Sequence, residues 1–232
     1  MQEGLRFLWL LSLSVSAVAW LYREGSLAKK KGISNRGQIS GYELAREILN
    51  RHHFTRTAVQ LISPRVPEAR FHRDELLLNE KTYYGTSLTG LAEALHETMG
   101  FVESSKMFLP TKPSGRGGRF FQGLVLSSWI LLGAGILLSP WTWIFFLGQL
   151  FFVLAFFLAL ASLAGEWEVA QRSVASLAVL DRLGMDERIH MKEILEVLRW
   201  TPLAEMFKIP MRTLPRFRVK SEREAKKART PA

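Results

Sequence analysis

The run from Phe120 to Gly165 contains no Asp, Glu, Lys or Arg, and no other feature limits the fold as strongly. A helix that crosses a bilayer needs about 20 apolar residues, so the run is long enough for two. Ser139-Pro140 interrupts it near the middle, where proline ends a helix. The spacing predicts a transmembrane hairpin of helices over Phe121–Leu138 and Trp141–Ala164, with Trp129, Trp141, Trp143 and Trp167 as candidates for interfacial anchors. A buried soluble core is excluded, because too little polar chain remains to cover it.

A third apolar run, Leu5 to Tyr22, is about one span long. Ala17-Val18-Ala19 resembles a signal-peptide cleavage site, which is the competing reading. Glu3 offsets Arg6 in the segment before it, and Lys29-Lys30-Lys31 follows it, where a retained helix holds positive charge on the cytoplasmic side. The expectation is a retained anchor. The basic residues Lys29–Lys31, Arg116, Arg119 and the C-terminal tail all flank membrane ends, whereas the turn at 139–141 carries no charge. Three spans with the N-terminus outside then place everything else in the cytoplasm.

Between the anchor and the hairpin, residues 32–118 have the composition of a soluble domain. Ser40-Gly41-Tyr42-Glu43 opens a helical pattern through Ala45, Ile48 and Leu49, with Ser40 and Glu43 set as a capping box. Ala58–Ile62 and Glu75–Leu78 read as two paired strands. Thr86 or Ser87 caps a helix whose apolar positions are Leu88, Leu91, Leu95, Met99 and Val102. Pro110 to Gly118 reads as a linker. After the hairpin, Glu166–Leu183 continues as an amphipathic helix. Asp186 to about Phe207 gives another, interrupted at Pro202 and too charged for a fourth span. Arg212 to Arg229 holds eight basic residues against two acidic ones, which suits a solvated tail or one held to anionic headgroups. No aromatic platform or recognition helix accompanies it, so nucleic acid is not an expected partner.

The helix through Leu91–Phe101 carries His96-Glu97, the first half of the metalloprotease signature His-Glu-x-x-His. That signature works because residues four apart share a helix face, so two imidazoles reach one zinc while the glutamate polarises a water. Here the second position is Gly100. With no cysteine and only His52, His53, His72, His96 and His190 in the chain, any other metal site must draw on carboxylates. Adjacent His52 and His53 point about 100° apart on a helix and cannot chelate one ion from it. They suit the C-terminal end of the first soluble helix. His72 lies beside Arg70 and Arg73, a repulsive setting for a cation. Glu103 on His96's face, or Glu93 three residues before it, could replace a ligand. The set Glu93, Glu97 and Glu103 reads more simply as a solvated helix face. No phosphate loop, dinucleotide fingerprint or nucleophile elbow is present.

The order of pieces, together with Asn35-Arg36-Gly37, Ser40-Gly41-Tyr42-Glu43-Leu44-Ala45-Arg46-Glu47-Ile48-Leu49, Leu76-Leu77-Leu78-Asn79-Glu80, Tyr83-Tyr84-Gly85-Thr86-Ser87, Ala94-Leu95-His96-Glu97 and Gly165-Glu166-Trp167-Glu168 with Arg172, resembles the bacterial membrane zinc metallopeptidases of the YugP type. The resemblance covers about residues 5 to 185. It implies a membrane α+β protein, mainly helical, whose zincin-like cytoplasmic domain is joined to an N-terminal transmembrane helix and a two-helix transmembrane hairpin. It implies His96 and Glu166 as metal ligands and Glu97 as general base. The family pattern has His-Glu-x-Gly-His and a further histidine four positions on, where this chain has Gly100 and Ser104. The family's closing transmembrane segment is replaced by Trp200–Pro210 and the basic tail.

Catalytic zinc takes three protein ligands and a water, so the expectation leans away from an enzyme and treats all three residues as vestigial. No cofactor is expected, zinc being the one candidate. The chain divides into an anchor (1–31), the zincin-like domain (32–118), the hairpin (119–165), amphipathic helices (166–209) and the tail (210–232). It reads as a multi-pass inner-membrane scaffold that contacts lipid and holds a protein partner, such as an active paralogue. The alternatives are an active enzyme using His96, Glu166 and either Glu103 or Glu168, and a lipid-surface adaptor acting through the tail.

Overall fold

The computed structural model describes residues 2–30, 32–61, 71–72, 75–106, 116–137, 142–178, 180 and 182–213. These residues are mainly helical, with one small sheet. Three helices, α1 (Gln2–Lys30), α5 (Arg116–Leu137) and α6 (Thr142–Leu177), are long and apolar enough to cross a membrane. Phe7, Leu21, Ile130, Ile136 and Phe157 are exposed on them, on surfaces where a soluble protein's helix carries charge. Other faces pack together through Ala19, Val125, Phe152 and Phe156. Gly148 lets α5 and α6 approach closely, since a Cβ there would lie 2.8 Å from the Leu132 amide nitrogen.

Two of these helices are longer than a span. The chain from Tyr22 to Lys30 contains no proline, and α1 continues through Gly25 to Lys30. Likewise α6 passes through Gly165 without a break. Their extensions bury Leu27, Val169 and Leu177 in the core of the soluble part. The turn at Ser139-Pro140, linker residues 110–115 and the tail from 214 lie outside the described residues. Arg116–Gly118, expected in the linker, forms the first turn of α5.

In the soluble part, α2 (Gly41–Arg51) starts with the expected capping box. The Glu43 amide donates to Ser40 Oγ and the Ser40 amide to Glu43 Oε2. His52 is its C-cap, and His53 turns the chain with φ of 66°. Strand β1 (Ala58–Leu61) runs parallel to β3 (Glu75–Leu78), with Val59 opposite Leu76 and Leu61 opposite Leu78. A two-residue strand that the sequence did not signal, β2 (Phe71–His72), pairs antiparallel on the other side of β3. The short α3 (Glu80–Tyr83) leads to α4 (Leu88–Lys106). That helix is the centre of the packing. It contributes Leu91 and Leu95 to a cluster with Leu44, Ile48, Val169, Met191 and Leu195, and Phe101 and Val102 to another with Leu49, Leu76 and Leu78.

Helix α6 ends at Leu177 rather than Leu183. The following loop is held by the Arg188 guanidinium, which donates to the carbonyls of Leu180 (2.7 Å) and Leu183 (3.0 Å). Two helices, α7 (Met185–Leu198) and α8 (Thr201–Thr213), occupy the stretch expected as one helix interrupted at Pro202. The break falls at Arg199-Trp200, and Pro202 lies in the first turn of α8, where a missing N–H costs nothing. Leu203 and Met206 of α8 bury themselves among the apolar helices. Trp129 Nε1 of α5 donates to the Met206 carbonyl at 3.0 Å. Inside a helix that carbonyl takes the N–H of the fourth residue on, which here is Pro210 and has none.

Candidate metal centre

The motifs around the centre act through backbone fit. Asn35, fully buried, exchanges hydrogen bonds with the Ile39 backbone and donates to the Thr86 carbonyl, which fixes the loop before α2 to the loop before α4. A Cβ on Gly41 would stand 1.8 Å from the Thr82 carbonyl oxygen, and one on Gly85 would stand 2.0 Å from that of Lys81. Only glycine fits either place, and the Gly41 amide donates to the Gly85 carbonyl across the gap. Ser87 caps α4 by accepting from the Gly90 amide at 3.1 Å. Glu187 of α7 accepts from the Arg36 and Gly184 amides. Together these contacts set the position of α4 relative to α2 and α7.

On that frame, His96 of α4 meets Glu166 of α6. His96 Nε2 and Glu166 Oε2 are 2.7 Å apart, and the two residues are only 4% and 5% exposed. His96 Nδ1 is buried with no hydrogen-bond partner among the described residues. With its proton on Nε2 the ring donates to the Glu166 carboxylate. Glu97, the next residue, is half-buried and turns about 100° away from His96 around the helix.

The expected solvated face of Glu93, Glu97 and Glu103 is not what the fold makes. Glu103 is 3% exposed and pairs with Arg172, and Glu93 accepts from Thr82 Oγ1 at 3.2 Å. Glutamates at helical spacing look solvated until a cation from a distant helix covers one of them. Arg172 also holds Glu168 at 2.6 Å, so Glu103 and Glu168, two of the three carboxylates offered as replacement ligands, are tied to one guanidinium. Gly100 is buried, and Ser104 Oγ turns back to the Phe101 carbonyl at 2.9 Å. His190 lies on α7 beside Glu193, with 3.9 Å between them.

No group of three or more His, Asp or Glu able to hold a metal ion exists among the described residues. His96 and Glu166 supply one imidazole and one carboxylate, already bonded to each other. This donor set does not fit a catalytic zinc, which needs three protein donors converging on one point.

No curated protein and no solved structure matches the chain. A family model matches residues 5–215, which include the three apolar helices, the sheet and the His96–Glu166 pair. The chain therefore belongs to the family described as Putative neutral zinc metallopeptidase.

Proposed function

We propose that this chain is a membrane-embedded member of its family that has lost zinc-dependent hydrolysis and acts as a binding or scaffold subunit. The observation that carries the proposal is the 2.7 Å contact between His96 and Glu166, two vestigial ligands closed on each other. Gly100 and Ser104 stand where the family pattern carries histidines, and Arg172 holds Glu103 and Glu168. Glu97 remains as a general base with no metal-bound water to act on.

The domain keeps a zincin-like frame that presents β1 as an edge of its sheet, paired only with β3 among the described residues. An edge of that kind accepts an added strand from a partner, and an active paralogue is the partner we favour. The three apolar helices cross the inner membrane with the N-terminus outside. Lys29, Lys30, Arg116 and Arg119 support this orientation, which places the soluble domain and the C-terminus in the cytoplasm.

Elemental analysis of the purified full-length protein tests the loss of the metal. The wild type should hold far less than one zinc per chain, and a Gly100→His, Ser104→His variant should hold more. Zinc near one per wild-type chain, with peptide hydrolysis abolished by Glu97→Ala, would overturn the proposal.

A further inference from the structure

The two-residue turn between α7 and α8 gathers a group of side chains that the metal centre does not use. Arg199, the C-cap of α7, lies with its guanidinium carbon 4.0 Å above the Trp167 ring and 5.7 Å from the Trp200 ring. Its Nε is buried with no hydrogen-bond partner, and Arg199 pairs with no carboxylate among the described residues. Arg23 of α1 reaches the same turn and donates to Thr201 Oγ1 at 3.3 Å. Arg23 is 5% exposed and pairs with the neighbouring Glu24, at 2.7 Å. Two arginines therefore border this turn, Arg23 paired with Glu24 and Arg199 with no carboxylate partner among the described residues. One positive charge and one buried N–H are left without a counterpart, and such groups in a folded protein require an explanation.

Their depth supplies one. Arg23 directly follows the apolar run that ends at Tyr22, and Trp167 lies two residues beyond the charge-free run that ends at Gly165. Trp200 packs at the edge of the apolar cluster, next to α8 residues that are buried within it. All four side chains stand where apolar helix surface gives way to water, the level at which tryptophan collects in membranes and lipid phosphates lie. A planar guanidinium backed by an indole can still offer its terminal Nη N–H groups to two phosphate oxygens.

We propose that Arg199, stacked on Trp167 and supported by Arg23, binds the phosphate of an anionic phospholipid headgroup. The inference rests on the reading that the chain is embedded in a membrane. It differs from adsorption through the basic tail, because the partly buried cluster is screened by salt far less than exposed lysines are.

Native mass spectrometry of the full-length protein in detergent, loaded with phosphatidylglycerol or phosphatidylcholine, tests the site. The wild type should retain phosphatidylglycerol preferentially, also after a high-salt wash. Arg199→Gln should lower that retention about tenfold, the weight of one charge-assisted pair, and Arg199→Lys should lower it less. Lys192→Gln, an exposed change on α7, should leave it unchanged. Tryptophan-detected unfolding checks that each variant is folded, and Arg199→Lys carries the test if Arg199→Gln is not. Equal retention by wild type and the folded Arg199 variants would overturn the site. So would displacement of the lipid by millimolar inorganic phosphate, which would assign the site to a soluble anion. Flotation of the wild type with membranes reads the embedding separately, so failure of the lipid site and failure of the membrane reading are distinguishable.

Discussion

Replacing His96 and Glu166 singly and together gives the sharpest test of how the centre is built. Both residues are almost fully buried and their contact is 2.7 Å. His96→Leu takes the imidazole away from the buried Glu166 carboxylate, and breaking a buried pair in this way costs up to roughly 3 kcal/mol. Glu166→Met leaves the Nε2 proton without its acceptor, at about 1–3 kcal/mol. The double variant puts apolar groups of similar size on both sides, and replacing both partners together is close to neutral. The two sites should therefore be coupled by at least ~2 kcal/mol. For a chain of this size one kcal/mol moves Tm by about 2–4 °C. Each single variant should then melt several degrees below the wild type, and the double variant should recover at least half of the larger loss. Intrinsic fluorescence of the protein in detergent reads this directly, since Trp167 adjoins Glu166 in the chain. Simple addition of the two losses, with coupling under about 0.5 kcal/mol, would mean that the contact does not bind α4 to α6 and the reasoning is wrong.

The glycine positions make a sharper contrast. Gly41→Ala puts a methyl 1.8 Å from the Thr82 carbonyl, so it should exceed the usual ~1–3 kcal/mol of overpacking and abolish the folded yield. Gly123→Ala in α5 meets nothing within 4 Å and should leave Tm unchanged or slightly raised. Arg172→Ala removes the guanidinium that pairs with the buried Glu103 carboxylate. Because the Arg172 side chain is 43% exposed, water screens part of the pair and about 1–2 kcal/mol should be lost, most of it recovered in a thermal melt by adding Glu103→Gln. Glu43 is held below the ordinary carboxylate range by the Ser40 backbone amide first and the Ser40 hydroxyl second. A depressed carboxyl stabilises the fold fully above its unfolded pKa, ~4.3, and loses that contribution as pH falls through the lower folded value. Acid melts of wild type and Glu43→Gln should accordingly converge at the low end of the pH range, where the wild-type carboxyl is protonated.

Much of the framework was legible because its causes are local. The charge-free run, the Ser40–Glu43 box and the serine cap of α4 each depend on residues within one or two turns of one another. The pairing of β1 with β3 followed from apolar runs bounded by turns. What stayed hidden depends on distant partners. Glu103 looks solvated in its own helix, but in the fold it is buried and paired with Arg172, 69 positions away. Glu205, Lys208 and Arg212 dilute the hydropathy of α8, so nothing in that stretch announces that Leu203 and Met206 pack against α1, α5 and α6. The two-residue β2 has no alternation to read. The contact between His96 and Glu166 was implied by resemblance alone, since no spacing rule joins residues 70 positions apart.

Because Pro210 deprives one α8 carbonyl of its internal donor, the Trp129 indole of another helix completes it. In a medium without water, that helix is whole only when seated. Its seat is built by α1, α5 and α6, all synthesised earlier. Helix α8 can then complete that carbonyl only once α5 is in place, and it is held there by a bond that it cannot make alone.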